Sequence, residues 1–504
     1  MTSLRLIPLG LLAIFAAAPC SAGAGVTERH APEFEVSYDR DLNPGPLSAR
    51  VYVMLAPGKT LKGQAAEPRL GPNWFRPQPF FAVEAKDWKP GETLRIGASA
   101  AGFPGPLDQL EPGDYLAQAV VRLNLDTHKL GDGEGNLYGP AKPTAFTIGP
   151  AGEAGAAIAL RVEAKVPQDL FHESELIKYV EIESPILSAF HHRPIKHRAA
   201  VILPEGEGSK ENLPTVYIIP GFGGDHTSAA RMVKSPVFGF GKKMVRVILD
   251  PDCGAGHHVF ADSAFNGPRG KALIEELIPH IEKTFRTRAE PGARLLNGHS
   301  SGGWSSLWLQ VTYPDIFGGT WSTSPDPVDF RDFQMINLYA PGENMFQDAG
   351  GKRRPIARMG KRAVLFFDNF SKMEDVIGDG GQLHSFEAVF SPLDASGRPR
   401  LLWNRSTGAV DPEVAKAWEA YDIRLVLERN WKTLGPKLKG KLHVITGDVD
   451  TFYLEGAVKR LKASLHQLGS DAEIEVVPDR DHSTILDRSL SDRFDRQMTE
   501  AGNR

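Results

Sequence analysis

Cysteine is nearly absent: the 504-residue chain holds two, Cys20 and Cys253. Two thiols exclude a disulfide-stapled scaffold. No run of five or more like charges occurs, and 58 Lys+Arg against 62 Asp+Glu leave a formal charge of -4. That balance excludes a basic nucleic-acid surface and an acidic tail. There is no internal repeat, and neither a P-loop nor a dinucleotide fingerprint follows a strand; Gly221-Phe222-Gly223-Gly224 is neither. What is present is an ordinary globular composition, 41% hydrophobic and 24% charged. At roughly 150 residues per domain, it suits two or three domains, each with its own core.

An apolar stretch, Leu6 to Ala18, is broken only by Pro8 and Gly10; Arg5 precedes it, and Ser21, Ala22, Gly23 and Ala24 follow. It is too short to span a bilayer. A positive start, an apolar centre and a small-residue exit predict a secretory signal over residues 1–24, cleaved near Ala22 or Ala24. Pro19 stands where a lipobox wants a small residue, so Cys20 is a poor lipidation site. The mature chain is then expected in the periplasm or outside, with no membrane span, no intrachain disulfide and stability drawn from its cores.

Two patterns follow along the chain. Residues 25–165 carry short apolar or alternating runs, among them Val51 to Met54, Phe80 to Val83, Leu94 to Ile96 and Tyr115 to Leu123. Turns such as Asn43-Pro44-Gly45 and Glu111-Pro112-Gly113-Asp114 separate them, which predicts a small all-β, sandwich-like domain. Gly149 to Ala157, rich in Gly, Ala and Pro, leads to the boundary.

Residues 166–504 alternate strands with helices: Thr215 to Ile219, Val245 to Leu249, a helix Lys271 to Phe285, Arg294 to Asn297, a helix from Gly302, and Gly318 to Ser322. Leu442 to Thr446, a helix with Leu454, Val458, Leu461 and Leu465, and Ile474 to Val477 complete the series. This predicts an α/β fold with a doubly wound, mostly parallel sheet. Residues 326–440 break the rhythm and are expected to form a lid or a substrate-shaping insertion.

The chemistry centres on Gly298-His299-Ser300-Ser301-Gly302. Alone, Gly-x-Ser-x-Gly is weak; here an apolar strand precedes it, and Trp304, Leu307, Trp308 and Val311 follow at helix spacing. A sharp strand-to-helix turn exposes the serine hydroxyl, and flanking glycines let the backbones pass. A serine needs a base, and in this fold the acid and then the histidine lie downstream at strand ends.

His482, in Pro478-Asp479-Arg480-Asp481-His482-Ser483, fits best; His384, His443 and His466 read as packing or surface residues. Asp448 and Asp450, in Gly447-Asp448-Val449-Asp450-Thr451-Phe452, are evenly matched as the acid from strand-end position alone. The remaining aspartate would cap the helix near Tyr453. The Gly-rich turn after Ile218-Ile219-Pro220 offers the Phe222 N–H, and Ser301 offers a second, as an oxyanion hole.

Two weaker features complete the reading. His257 and His258, in Cys253-Gly254-Ala255-Gly256-His257-His258, lack the spaced carboxylates or thiolates of a metal site and are expected in a loop or at the mouth of the pocket. Asp132-Gly133-Glu134-Gly135-Asn136 lacks the distant bidentate Glu of a calcium loop and reads as a hairpin turn.

Over roughly residues 178–490 the chain resembles the esterase-D-like family of α/β-hydrolases. That family includes S-formylglutathione hydrolases, enterochelin esterases, feruloyl and other carbohydrate esterases, and secreted mycolyltransferases. The resemblance rests on Glu183-Ser184-Pro185-Ile186-Leu187 and Ala200 to Pro204, Tyr217 to Gly221, Gly298 to Gly303, Gly447 to Phe452, and Asp481-His482-Ser483. His257 to Ser263 with Asn266-Gly267-Pro268 resembles a secreted bacterial subgroup carrying an N-terminal β domain.

The family's Gly-x-x-Asp-x-Phe setting maps the acid onto Asp450. The resemblance implies a secreted serine ester hydrolase that uses Ser300, Asp450 and His482 and needs no metal or organic cofactor. Its substrate would be a small-molecule or carbohydrate-linked ester, with no nucleic-acid partner. An acyltransferase or a serine peptidase would use the same residues, and a binding protein on a decayed hydrolase fold is the alternative of another class.

Overall fold

The computed structural model describes residues 32–58, 67–150, 157–168, 170–204 and 212–503. The expected leader, residues 1–24, lies outside them. Among the described residues no helix is long and apolar enough to cross a membrane.

Phe34–Tyr38, Leu94–Ile96 and Ile158–Val162 form a three-stranded sheet. Leu47–Pro57, Phe80–Trp88, Ala101–Phe103, Gly113–Arg122, Leu137–Tyr138, Thr144–Ile148 and Ala164–Lys165 form a second, seven-stranded sheet. Strand alternation sends successive side chains to opposite faces. Val51, Val53, Leu55, Phe81 and Val121 join Phe34, Val36 and Tyr38 in one core. Tyr52, Met54, Phe80, Ala82 and Val120 point the other way, into a core shared with the 326–440 segment. Both faces of the larger sheet are thus covered, so Val51 to Met54 reads as continuously apolar rather than alternating.

The last strand of these sheets ends at Lys165, and the central sheet begins at Ile177. Its strands are β1 (Ile177–Glu183), β2 (Lys196–Ile202), β3 (Thr215–Ile219), β4 (Val245–Leu249), β5 (Arg294–His299), β6 (Gly319–Thr323), β7 (Leu442–Gly447) and β8 (Glu473–Val477). They lie in the order β1-β2-β4-β3-β5-β6-β7-β8. β2 runs antiparallel to both of its neighbours, and β3 to β8 are parallel. This is the α/β-hydrolase sheet, and β3, β5 and β6 at its centre end beside one another.

The expected continuous helix Lys271 to Phe285 is instead Arg269–Ala272, a π turn Leu273–Leu277, and Ile278–Phe285. Pro279 has no N–H for the carbonyl four residues back, and the turn before it widens. Leu273, Leu277 and Ile281 stay buried against β3 and β4.

Between β6 and β7, the insertion folds as a hairpin, Pro355–Met359 with Arg362–Phe366, and helices Phe367–Ile377, Gln382–Phe390, Pro412–Trp418 and Ile423–Leu438. An aromatic cluster of Phe330, Phe333, Phe390 and Trp418 is its centre.

Candidate active site

Ser300 follows β5 directly and precedes the helix Ser301–Thr312. Its backbone sits at φ 59°, ψ −126°, a region an L-residue occupies only when its surroundings compel it. Those surroundings are visible. The Ser300 N–H donates to the Thr323 carbonyl at 3.0 Å, and its carbonyl accepts from Trp304 at 3.0 Å and Asp326 at 3.2 Å. The flanking glycines are sterically required: a Cβ on Gly298 would lie 1.9 Å from the Gly302 oxygen, and one on Gly302 1.9 Å from the Ile219 oxygen.

His482, on the loop after β8, holds its Nδ1 2.8 Å from Asp450 Oδ2, on the loop after β7. Asp450 is fully buried and also accepts from the Phe452 N–H at 2.9 Å. Burial would raise its pKa; the charge and hydrogen bond of His482, with the Phe452 and Ser324 donors, more than offset that and hold it below its ordinary value. An ionised Asp450 accepts from Nδ1–H, which leaves His482 Nε2 free to take a proton. Phe452 meets the His482 ring edge-on at 4.9 Å, and His299 lies 4.4 Å from it. Burial pushes His299 down to about 3, so it brings no competing charge.

The two aspartates are therefore distinct. Asp448 Oδ1 accepts from the Asp479 N–H at 2.7 Å and ties the β7 and β8 loops together. Neither aspartate caps the following helix as expected; Glu455–Gln467 begins at Leu454 without a side-chain cap.

The Gly221-to-Gly224 turn closes through Gly224 N–H to Gly221 O at 2.9 Å, with Gly223 at φ 80°. A Cβ on Gly221 would stand 3.2 Å from Ser300 Cβ, so this backbone passes in contact with the elbow. The Ser301 N–H, first in its helix, has no intrahelical acceptor. Ser300, Phe222 and His482 line one cavity of about 460 Å³.

His257 and His258 do not line it, contrary to the expectation of a pocket mouth. Both are buried. His257 Nδ1 accepts the Val259 N–H, so its Nε2–H donates to the Pro220 carbonyl at 2.9 Å. Burial holds His257 at about 4 and therefore neutral. It braces the turn, while His258 faces a separate polar cavity of about 420 Å³.

The other histidines have structural places. His384 bonds the Gly378 carbonyl and Asp375, His443 stacks on Trp321, and His466 is exposed on its helix. Asn136 is fully buried, donating to the Lys129 and Leu130 carbonyls and accepting from the Leu123 and Asn124 N–H groups. Among the described residues no group of three or more His, Cys, Asp or Glu is placed to hold a metal. Cys253 is buried, which pushes its thiol up to about 11 and makes it a poor nucleophile.

Asp326 and Trp74 are two of the cavity residues that were not singled out in the sequence. Asp326, buried after β6, accepts from Ser301 Oγ at 2.6 Å and Gln382 Nε2 at 3.3 Å. Burial, partly offset by the Ser301 bond and the His482 charge, raises it to about 6. A strand-end aspartate between Pro325 and Pro327 was its signal, the same kind that marked Asp450. Trp74 comes from the N-terminal sheets, where an adjacent aromatic pair, Trp74-Phe75, in a Pro-rich loop was the only hint.

The family model described as "Putative esterase" matches residues 255–439. Esterase MT1326 and Esterase Rv1288, both of Mycobacterium tuberculosis, are each 35% identical over 108 residues, 21% of this chain and 24% of theirs. The chain thus spans about a quarter of the length of those curated relatives. Among solved structures, a ferulic acid esterase matches at TM-score 0.40 and 15% identity, covering 65% of this chain and 99% of its own. An S-formylglutathione hydrolase from Agrobacterium tumefaciens matches at TM-score 0.39 and 14% identity, covering 65% and 95%. FphF of Staphylococcus aureus, a fluorophosphonate-binding serine hydrolase, matches at 0.38 and 15%, covering 65% and 100%.

Proposed function

We propose that the chain, similar to the "Putative esterase" family over residues 255–439, is a serine ester hydrolase working through an acyl-enzyme. The observation that carries the reading is the joint placement of the strained Ser300, the 2.8 Å His482–Asp450 pair and the Gly221–Gly224 turn around one cavity.

Ser300 Oγ attacks the ester carbonyl while His482 Nε2 takes its proton. The oxygen gains negative charge opposite the N–H groups of Phe222 and Ser301. Asp450 orients the imidazole and stabilises its cation. The imidazolium then gives the proton to the departing alcohol, leaving an acyl-Ser300 ester. Water, deprotonated by His482, repeats the sequence and releases the acid. The proposal extends to export of the mature chain by the residue 1–24 leader, to residues 25–165 as a distinct β domain, and to a small-molecule or carbohydrate-linked ester as substrate.

Treatment with a fluorophosphonate and peptide mass mapping tests the reading. One phosphonyl adduct is expected, on Ser300, and it should disappear when Asp450 or His482 is replaced by Ala. An adduct on another serine, or none on a folded protein, contradicts it.

A further inference from the structure

The cavity beside Ser300 is not closed by the central sheet and insertion alone. Trp74, from the 67–79 loop of the N-terminal sheets, packs on Phe222 at 5.4 Å, Phe370 at 5.1 Å and Phe452 at 6.4 Å. These three rings belong to the Gly-rich turn, the insertion helix Phe367–Ile377 and the loop carrying Asp450. Phe452 in turn touches His482. One side chain from a distant part of the chain thus meets three of the elements that shape the site.

The loop is held at both ends. The Arg69 N–H donates to Gln118 Oε1 at 3.0 Å, Gly71 closes on Pro68, and the Leu55 N–H bonds the Pro79 carbonyl at 3.0 Å. At its tip, Asn73 Oδ1 accepts from the Phe75 and Arg76 N–H groups. Trp74 is therefore pre-positioned, which lets it discriminate between ligands without first being ordered. It also lines a neighbouring cavity of about 260 Å³, whose other walls include Arg69, His128, Lys129 and Asp132. Trp74, Phe222 and Gly223 line both spaces, and the two aromatic side chains stand between them.

We propose that Trp74 is a specificity-determining residue supplied by the N-terminal sheets, which favours a compact, flat apolar acyl group and excludes long chains. This rests on the ester-hydrolase reading above. A flat group packs on the indole and neighbouring phenyl faces. A long chain meets the partition, and removing the indole joins the two cavities.

The test is steady-state hydrolysis of p-nitrophenyl acetate, benzoate and octanoate by wild type, W74A, W74L and W74F, with S300A as the blank. In W74A the benzoate-to-acetate ratio of kcat/KM should fall about tenfold or more, through KM, and the octanoate-to-benzoate ratio should rise. W74F, which keeps a flat ring, should keep most of the benzoate preference, whereas W74L, which lacks one, should lose it as W74A does and carries the test if W74A does not fold. Equal changes for all three esters in W74A or W74L, or none, overturn the proposal. If S300A hydrolyses as fast as wild type, the hydrolase reading fails separately. Calorimetric benzoate affinity of S300A against W74A/S300A then decides the wall: a loss of about tenfold supports it, and equal affinity overturns it.

Discussion

At the scale of single residues, neighbours set charge. Asp450 is sealed from water, yet His482 and two further donors keep it ionised. An amide there would still fill the space but would present the wrong partner to Nδ1. D450N is expected to lower kcat by about four powers of ten with little change in KM. D448N, which loosens only the tie to Asp479, should stay within about threefold of wild type. A reversed order of effects in p-nitrophenyl ester kinetics would move the acid to Asp448.

Asp326 behaves oppositely. Burial raises it from 3.8 to about 6, so the folded state binds its proton more tightly than the unfolded chain. Stability from this group is full below pH 3.8 and is lost as pH rises to about 6. Melting curves should show wild type losing ground to D326N across that window. Parallel pH profiles would remove Asp326 as a perturbed group.

At the scale of elements, the elbow is a crossing of backbones. Gly298 at the end of β5 lies against the Gly302 backbone, and Gly302 lies against the Ile219 backbone at the end of β3, so closely that only hydrogen fits at either position. G302A should destabilise at the upper end of the overpacking range, about 3 kcal/mol, or yield no soluble protein. G342A, at φ 70° with open space around it, should cost only about 1 kcal/mol, read from denaturant melts.

Such elements were legible because their causes are local. Buried strands show as apolar runs, the elbow as two glycines around a serine, and His482 as a polar loop after the last strand. The π turn before Pro279 and the role of His257 were not legible. The first depends on how a helix resolves a missing N–H, the second on which carbonyl happens to lie opposite. Trp74 is the extreme case: its loop and Ser300 are far apart in sequence, and no spacing rule connects them.

At the scale of the whole molecule, the N-terminal sheets and the insertion share an interior. Tyr52 Oη donates to the Ile377 carbonyl at 2.5 Å and Arg50 Nε to the Val376 carbonyl at 3.2 Å, alongside the common apolar core. The Arg122 guanidinium donates to the Asp379, Gly254 and Thr127 carbonyls and so clamps the insertion and the 253–258 loop to the sheet. R122M leaves those carbonyls short of a donor and should cost about 2 kcal/mol or more. Calorimetry should show one cooperative transition for both proteins, at a lower Tm for R122M. Two well-separated transitions in wild type would mean that the shared core does not couple the parts.

The central claim, that Ser300 is the nucleophile of an ester hydrolase, is tested most directly by initial rates of p-nitrophenyl acetate hydrolysis for wild type and S300A at equal concentration. S300A should lose at least about three powers of ten in kcat/KM while melting within a few degrees of wild type. Equal rates from the two proteins would contradict the account.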